Sequence, residues 1–284
     1  MSNMAMSQEP LRVSDIKKYL ETQDDFAFEL KVLKLLRSRA IKAHHSGSYM
    51  DPILGKPRQF DIRAELREGP YEARFAIECK NLSVGNPLLI VRTPRTSAEA
   101  FIDIRFVSSR SSYQSVKRRH AIESPYRALE HVGRTFSQVS RWVDLGKPSK
   151  PGAPLAPDEI RGGDSEAIYQ KMTQCLASAD ELVQQHLAPF GDQNGWATIR
   201  AILVVPERCL WVADYDETGK LLRQPHRAER CEVFVGSKYF IKTDLRNFTI
   251  SHVDVMTWKG LFDWTLEHFQ HGEALKNLIL PGGH

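Results

Sequence analysis

The stretch Phe60-Asp61-Ile62-Arg63-Ala64-Glu65-Leu66-Arg67-Glu68-Gly69-Pro70-Tyr71-Glu72-Ala73-Arg74-Phe75-Ala76-Ile77-Glu78-Cys79-Lys80 decides how this chain is read. From Phe60 to Leu66 apolar and polar residues alternate, which puts Phe60, Ile62, Ala64 and Leu66 on one face of a strand and Asp61, Arg63, Glu65 and Arg67 on the other. Ala73 to Lys80 alternates in the same way, with Ala73, Phe75, Ile77 and Cys79 opposite Arg74, Ala76, Glu78 and Lys80. Glu68-Gly69-Pro70 is turn chemistry, so the two strands form a hairpin. A turn centred on Gly69-Pro70 sets Asp61 across from Glu78 on one sheet face. Like charges directly opposed destabilise a sheet, so a cation is expected there, and Lys80 shares their face.

Upstream, Asp24 to Ala43 reads as a helix, because Phe26, Leu30, Leu33, Leu36 and Ala40 recur at helical spacing. Glu29 falls inside the apolar arc of Phe26, Val32, Leu33 and Leu36. A carboxylate there should face a polar site set into the core, since Glu is seldom buried without a partner. His44-His45-Ser46-Gly47-Ser48 reads as a turn, and His44, His45 and Tyr49 are candidates for touching a substrate. Downstream, Pro87–Val91 and Ala100–Val107 read as strands. A helix is expected from Ser124-Pro125 through Val143, with Leu129, Val132, Phe136 and Val139 on its apolar side and His131, Thr135, Gln138 and Trp142 beside them. Residues 146–163 are rich in Pro and Gly and read as an exposed loop or linker. A helix over Ser165–Leu187, strands at Ala197–Val205, Leu210–Tyr215, Glu232–Val235 and Phe248–Val255, and a closing helix over Thr257–Phe269 follow. Helices alternating with buried strands predict one α/β domain over residues 1–284, expanded in its C-terminal half, with a mixed central sheet flanked by helices.

Asp61, Glu78 and Glu29 form an oxygen-only donor set, which favours a hard divalent cation, Mg²⁺ or Mn²⁺, over zinc. Phe60-Asp61-Ile62 followed by Ile77-Glu78-Cys79-Lys80-Asn81 resembles the core motif of the PD-(D/E)xK restriction-endonuclease-like nuclease superfamily, with Phe60 standing where that motif has Pro. Glu29 is similar to the acidic residue many members carry on the preceding helix. The resemblance covers about residues 24 to 82. It implies a restriction-endonuclease-like core in which Asp61 and Glu78 ligate Mg²⁺ together with the main-chain carbonyl of Cys79. It further implies that Lys80 positions or activates the attacking water, and that Glu29 holds a metal-bound water or helps bind a second ion. Asp51-Pro52 is a rival for the metal Asp, set aside because its surroundings show no strand alternation. Some members place a Gln on a later helix near the site, which makes Gln138 a candidate.

The resemblance implies Mg²⁺-dependent phosphodiester hydrolysis of nucleic acid, DNA ahead of RNA with both left open, and suggests a role in restriction or anti-phage defence. The alternative is a catalytically silent nucleic-acid-binding or regulatory protein that keeps the fold. Lys117, Arg118, Arg119 and Arg134 lie in a basic segment running from Arg105 to Lys150 and are the candidate phosphate contacts. The chain as a whole carries only a formal net charge of +4 over 284 residues. Its 4 cysteines form no C-x-x-C pair and read as free thiols. No apolar run approaches the ~18 residues of a membrane span, and the first ten residues lack the regions of a secretory signal, so a cytoplasmic protein is expected. The oligomeric state is open, a homodimer included.

Overall fold

The computed structural model describes residues 9–22, 25–51, 54–69, 71–95, 101–109, 112–119, 131–142, 159–163, 165–187, 195–242 and 247–269. The chain is α/β, with a large mixed sheet flanked by helices. The helices are α1 (Val13–Thr22), α2 (Phe26–Ser38), α3 (Glu166–Leu187) and α4 (Trp258–Phe269). The strands are β1 (Lys42–Met50), β2 (Pro57–Glu68), β3 (Tyr71–Cys79), β4 (Leu88–Pro94), β5 (Phe101–Ser109), β6 (Ser112–Arg119), β7 (His131–Trp142), β8 (Glu159–Gly162), β9 (Gly195–Val205), β10 (Leu210–Asp214), β11 (His226–Arg227), β12 (Arg230–Lys242) and β13 (Asn247–Thr257).

The sheet runs β1-β2-β3-β9-β13-β12-β7-β4-β10-β11, with β5 on β9, β6 on β5 and β8 on β7. The order constrains its shape. β9 and β10 stand five places apart, about 24 Å in a flat sheet at ~4.8 Å per strand. Yet Val205 and Leu210 bound a connection that can reach only about 17 Å when fully extended. The sheet therefore curls. The β3–β4 and β9–β10 connections run side by side, joined where the Lys80 N–H donates to the Val204 carbonyl and the Leu88 N–H to the Cys209 carbonyl, at 2.9 and 2.8 Å.

Each sheet face has its own core. Ile168, Met172, Cys175, Leu176 and Leu182 of α3 pack on one face against Ala76, Ile199, Ala201, Leu203, Val233 and Val253. Phe28, Val32, Leu33 and Leu36 of α2 pack on the other with Leu261 and Trp264 of α4, against Ile62, Ala64, Phe75, Ile77, Cys79, Ile202 and Val204. Along β3 the alternation is therefore realised, Ala76 under α3 and Ile77 and Cys79 under α2 and α4.

Several expectations are corrected. His44–Ser48 is not a turn but the middle of β1, which among the described residues is an edge strand paired with β2 alone. It tolerates Gly47 because the Phe60 ring fills the space of a side chain there: a Cβ would lie 2.2 Å from Cζ of Phe60. Phe60 itself leaves the alternation and joins the α3 face, whereas Ile62 and Ala64 stay on the α2 face. Directly across from this break, Ser46 takes φ +54. Residues 131–142 are not a helix; they form β7, antiparallel to β4, with a bulge that leaves Arg134 between Gly133↔Arg92 and Thr135↔Val91. Gln138 thus sits on a strand. The helix start at Ser124-Pro125 lies outside the described residues, as do residues 146–158. Glu159–Gly162, expected as loop, is the strand β8. α2 buries Phe28, Glu29, Val32, Leu33, Leu35 and Leu36, while Phe26 and Leu30 are exposed.

Candidate functional site

β2 and β3 pair from Glu68↔Tyr71 to Ile62↔Ile77, and there the ladder stops. β2 continues on β1, with Gly47 against Phe60, while β3 stays on β9, with Glu78 against Leu203. The sheet forks at Asp61 and Glu78, whose side chains take over the hydrogen bonding that the ladder relinquishes. The Cys79 N–H donates to Asp61 Oδ2 at 2.8 Å, and the Asp61 N–H points at Glu78 Oε1 at 3.4 Å.

The cation that this pair requires comes from α3. Lys171 donates from Nζ to Asp61 Oδ2 at 2.7 Å and to Glu78 Oε2 at 3.1 Å. α3 is fixed over the fork by three further contacts: Arg63 donates to Ser178 Oγ at 3.2 Å, Gln174 Nε2 to the Gln59 carbonyl at 2.5 Å, and Tyr49 Oη to the Gln174 carbonyl at 3.3 Å. Burial is deep, Glu78 having a side chain only 1% exposed. Burial first, and the charge of Asp61 second, push the Glu78 carboxyl well above its usual value, with Lys171 opposing them. Burial alone would depress Lys171, but Glu78 and Asp61 together hold its ammonium more firmly protonated than a free lysine.

From the opposite sheet face α2 contributes Glu29, whose Oε2 lies 2.7 Å from Nε2 of His45 on β1. Both are largely buried, with side chains 11% and 14% exposed. Burial and the nearby charge of Asp61 raise the Glu29 carboxyl, while the His45 hydrogen bond and Lys171 lower it. Asp61 is thus felt from both layers at the open end of the fork.

Lys80 is not in this cluster, contrary to the expectation that it shares the face of Asp61 and Glu78. β3 ends at Cys79, and beyond it Lys80 Nζ bonds Asp25 Oδ2 at 3.0 Å while the Asn81 N–H bonds Asp25 Oδ1 at 2.7 Å. Asp25 precedes α2, so Lys80 ties the end of β3 to the start of that helix. The structure therefore brings together Asp61, Glu78 and Glu29, with Cys79 at the fork, and adds Lys171 and His45. Lys171 was missed, although the signal was present: it lies at the edge of the apolar arc of Ile168, Met172, Cys175 and Ala179, the same anomaly that singled out Glu29. Asp51, the rival, is buried but pairs with Arg58 at 2.9 Å, on the outer part of the β1–β2 pair.

Lys117, Arg118 and Arg119 lie on β6, opposite Ile104, Asp103 and Phe101 of β5. β5 runs antiparallel to β9 from Ser108↔Gly195 to Ile104↔Ile199, so this end of the hairpin points toward the sheet end that carries Glu78. Arg134 is aimed elsewhere by its bulge, donating to Thr93 Oγ1 at 2.8 Å and to the Pro94 carbonyl at 3.2 Å. Burial and the neighbouring Arg95 lower its pKa. Gln138 pairs with Leu88, and its carbonyl accepts the Gly163 N–H at 2.6 Å. Among the described residues no helix is long and apolar enough to cross a membrane.

Among the described residues, no group of three or more His, Cys, Asp or Glu side chains stands at spacing for a metal ion. The donor chemistry still fits a hard divalent ion, because Asp61, Glu78 and Glu29 offer carboxylate oxygens and the Cys79 side chain is turned into the core. Charge fits as well: these three acids face one ammonium, so with all of them ionised the cluster keeps an excess of negative charge. No protein-family profile, no curated protein and no solved structure matches the chain.

Proposed function

We propose that the chain is a Mg²⁺-dependent nuclease with a restriction-endonuclease-like core, acting on DNA, in the setting of restriction or anti-phage defence. The observation that carries this reading is the fork at which buried Asp61 and Glu78 meet the Lys171 ammonium, with Glu29 beside them. Asp61, Glu78 and the Cys79 carbonyl would hold the ion, with Mn²⁺ as a substitute. A bound divalent ion would offset charge on the scissile phosphate and render a water nucleophilic. Lys171, in place of the Lys80 that the sequence motif suggests, orients the two acids and presents positive charge to the transition state. The His45–Glu29 pair is placed to hold or move a proton at His45 Nε2. Lys117, Arg118 and Arg119 would serve the phosphate backbone; Arg134, held by Thr93 and Pro94, and Gln138, on a strand rather than a helix, take no part in this reading.

A second reading is favoured by one observation: Lys171 already satisfies both carboxylates, as a structural ion triad would. In that case the chain is a silent nucleic-acid-binding or regulatory protein. The deciding experiment follows supercoiled plasmid with Mg²⁺ or with EDTA, for the native protein, Asp61→Asn and Lys171→Met. Metal-dependent nicking lost in both variants supports the nuclease. Retained DNA binding with no cleavage of DNA or RNA by the native protein refutes it.

A further inference from the structure

A groove of about 880 Å³ lies between α1, α2 and α4, beside the segment that leaves the candidate site. Its floor is apolar and aromatic, and its rim is cationic. Trp258 and Phe262 stack with ring centroids 5.9 Å apart and planes 21° from parallel. The Arg39 guanidinium lies 4.3 Å from the Phe262 ring centroid, and the Trp258 indole beside Phe262 is half-exposed. Lys17, Lys31 and Lys34 line the rim, against one lining carboxylate, Glu207. Lys31 and Lys34 are exposed and make no ion pair among the described residues. Asn81 also lines the groove, and its N–H shares Asp25 with Lys80. On α2, Phe28 faces the groove while the next residue, Glu29, belongs to the carboxylate cluster.

Planar aromatic surface flanked by exposed ammonium groups, here those of Lys31 and Lys34, is the chemistry that binds single-stranded nucleic acid, by stacking bases and tracking phosphates. We infer that this groove holds a single-stranded segment of nucleic acid, one base stacking on the half-exposed Trp258 indole and the adjoining phosphates resting on Lys31 and Lys34. Because the stacked base must leave its helix, a duplex does not fit. The inference rests on reading the neighbouring site as a phosphodiesterase, and it supplies the substrate class: DNA with an unpaired stretch, such as a flap, an overhang or a locally opened duplex.

The test is done in EDTA, where hydrolysis plays no part. Anisotropy of a fluorescein-labelled oligothymidylate of about 12 nucleotides is measured over a salt series for the native protein and for a Lys31→Glu, Lys34→Glu double variant. Both positions are exposed, so the variant should fold, and its melting curve checks this. The expected result is affinity weakened at least tenfold, with the slope of log K against log salt shallower by about 1.4, the loss of two phosphate contacts on a single strand. Trp258→Phe should remove the quenching of tryptophan fluorescence that the oligonucleotide causes. Unchanged affinity and slope in the double variant overturn the assignment, as does equal competition by a duplex of the same length or displacement of the strand by an acidic amphipathic peptide. Failure of plasmid cleavage with groove binding intact counts against the nuclease reading alone.

Discussion

Replacing Lys171 by Met keeps the length and the apolar stem of the side chain but removes the ammonium between Asp61 and Glu78. Nζ lies 2.7 Å from one carboxylate and 3.1 Å from the other, and the Glu78 side chain is only 1% exposed. Breaking a buried pair by removing one partner costs ~3–5 kcal/mol, because it strands the remaining charge. Lys171 is 18% exposed, so water partly screens it and the lower end applies. About 3 kcal/mol corresponds to a fall in Tm of about 6–12 °C in a chain of this size.

The pH dependence follows from Glu78. Burial, then Asp61, raise its carboxyl well above 4.5 in the folded state, so the native protein binds a proton that the unfolded chain has lost. Stability is then fully present below pH 4.5 and declines as pH rises through the folded value. Without Lys171, which opposes that shift, the declining interval extends to higher pH. The deficit of the variant should therefore be small at acid pH and largest near neutrality. Circular-dichroism melts of both proteins in EDTA across the pH range measure this directly. A divalent ion that binds the same oxygens would restore part of the loss, about 1.4 kcal/mol for each tenfold excess over its Kd. Coincident melts of variant and native protein at neutral pH would refute the account of Lys171 as the neutralising cation.

Lys80→Ala should cost about 1 kcal/mol or less, its pair with Asp25 being partly open to water, and should leave more plasmid cleavage than Lys171→Met; the reverse ranking would return the catalytic role to Lys80. Glu29→Gln removes a carboxyl that burial and Asp61 raise above 4.5, so stability near neutral pH should hold or increase and its decline with rising pH should flatten, read by melts with EDTA. Asp214→Asn, far from the fork in sequence, serves as a control. Burial would raise the Asp214 carboxyl, but hydrogen bonds from Arg92 and Arg223 hold it below 3.8, so its contribution is present above that pH and lost as pH falls through the folded value. The variant should lose about 3 kcal/mol at neutral pH, with no response to Mg²⁺ in the melt. Gly47→Ala places a methyl group against the Phe60 ring and should destabilise by about 1–3 kcal/mol, relieved when Phe60→Leu is added; an additive double variant would deny that contact.

What was legible in the sequence, and what was not, divides along a physical line. The β2–β3 register could be read from Ile62↔Ile77 to Glu68↔Tyr71 because pattern and turn specify one pairing, whereas at the open end Phe60 and Lys80 depart from the alternation. α3 was legible because it commits one continuous apolar stripe to a core, and β9 because its residues 201–205 are an unbroken apolar run, Ala201 and Leu203 entering one core and Ile202 and Val204 the other. β1 was not, since an edge strand holding a glycine to admit Phe60 has the composition of a turn. β7 was misread because its apolar residues Val132, Phe136 and Val139 fall at intervals of four and three, the helical spacing. The bulge at Arg134 shifts the phase of the strand and hides its period of two. The site shows the same division. Asp61 and Glu78 sit on a locally determined hairpin and could be placed opposite each other from spacing alone. Their cation could not, because Lys171 reaches them from a helix more than ninety residues away in the chain, a tertiary contact that no local pattern encodes. A polar residue on an apolar helix arc, present in both Glu29 and Lys171, shows only that a buried partner exists. The fold then decides which partner it is: Lys80 turns to Asp25 at the end of its strand, and Lys171 fills the fork that Lys80 leaves.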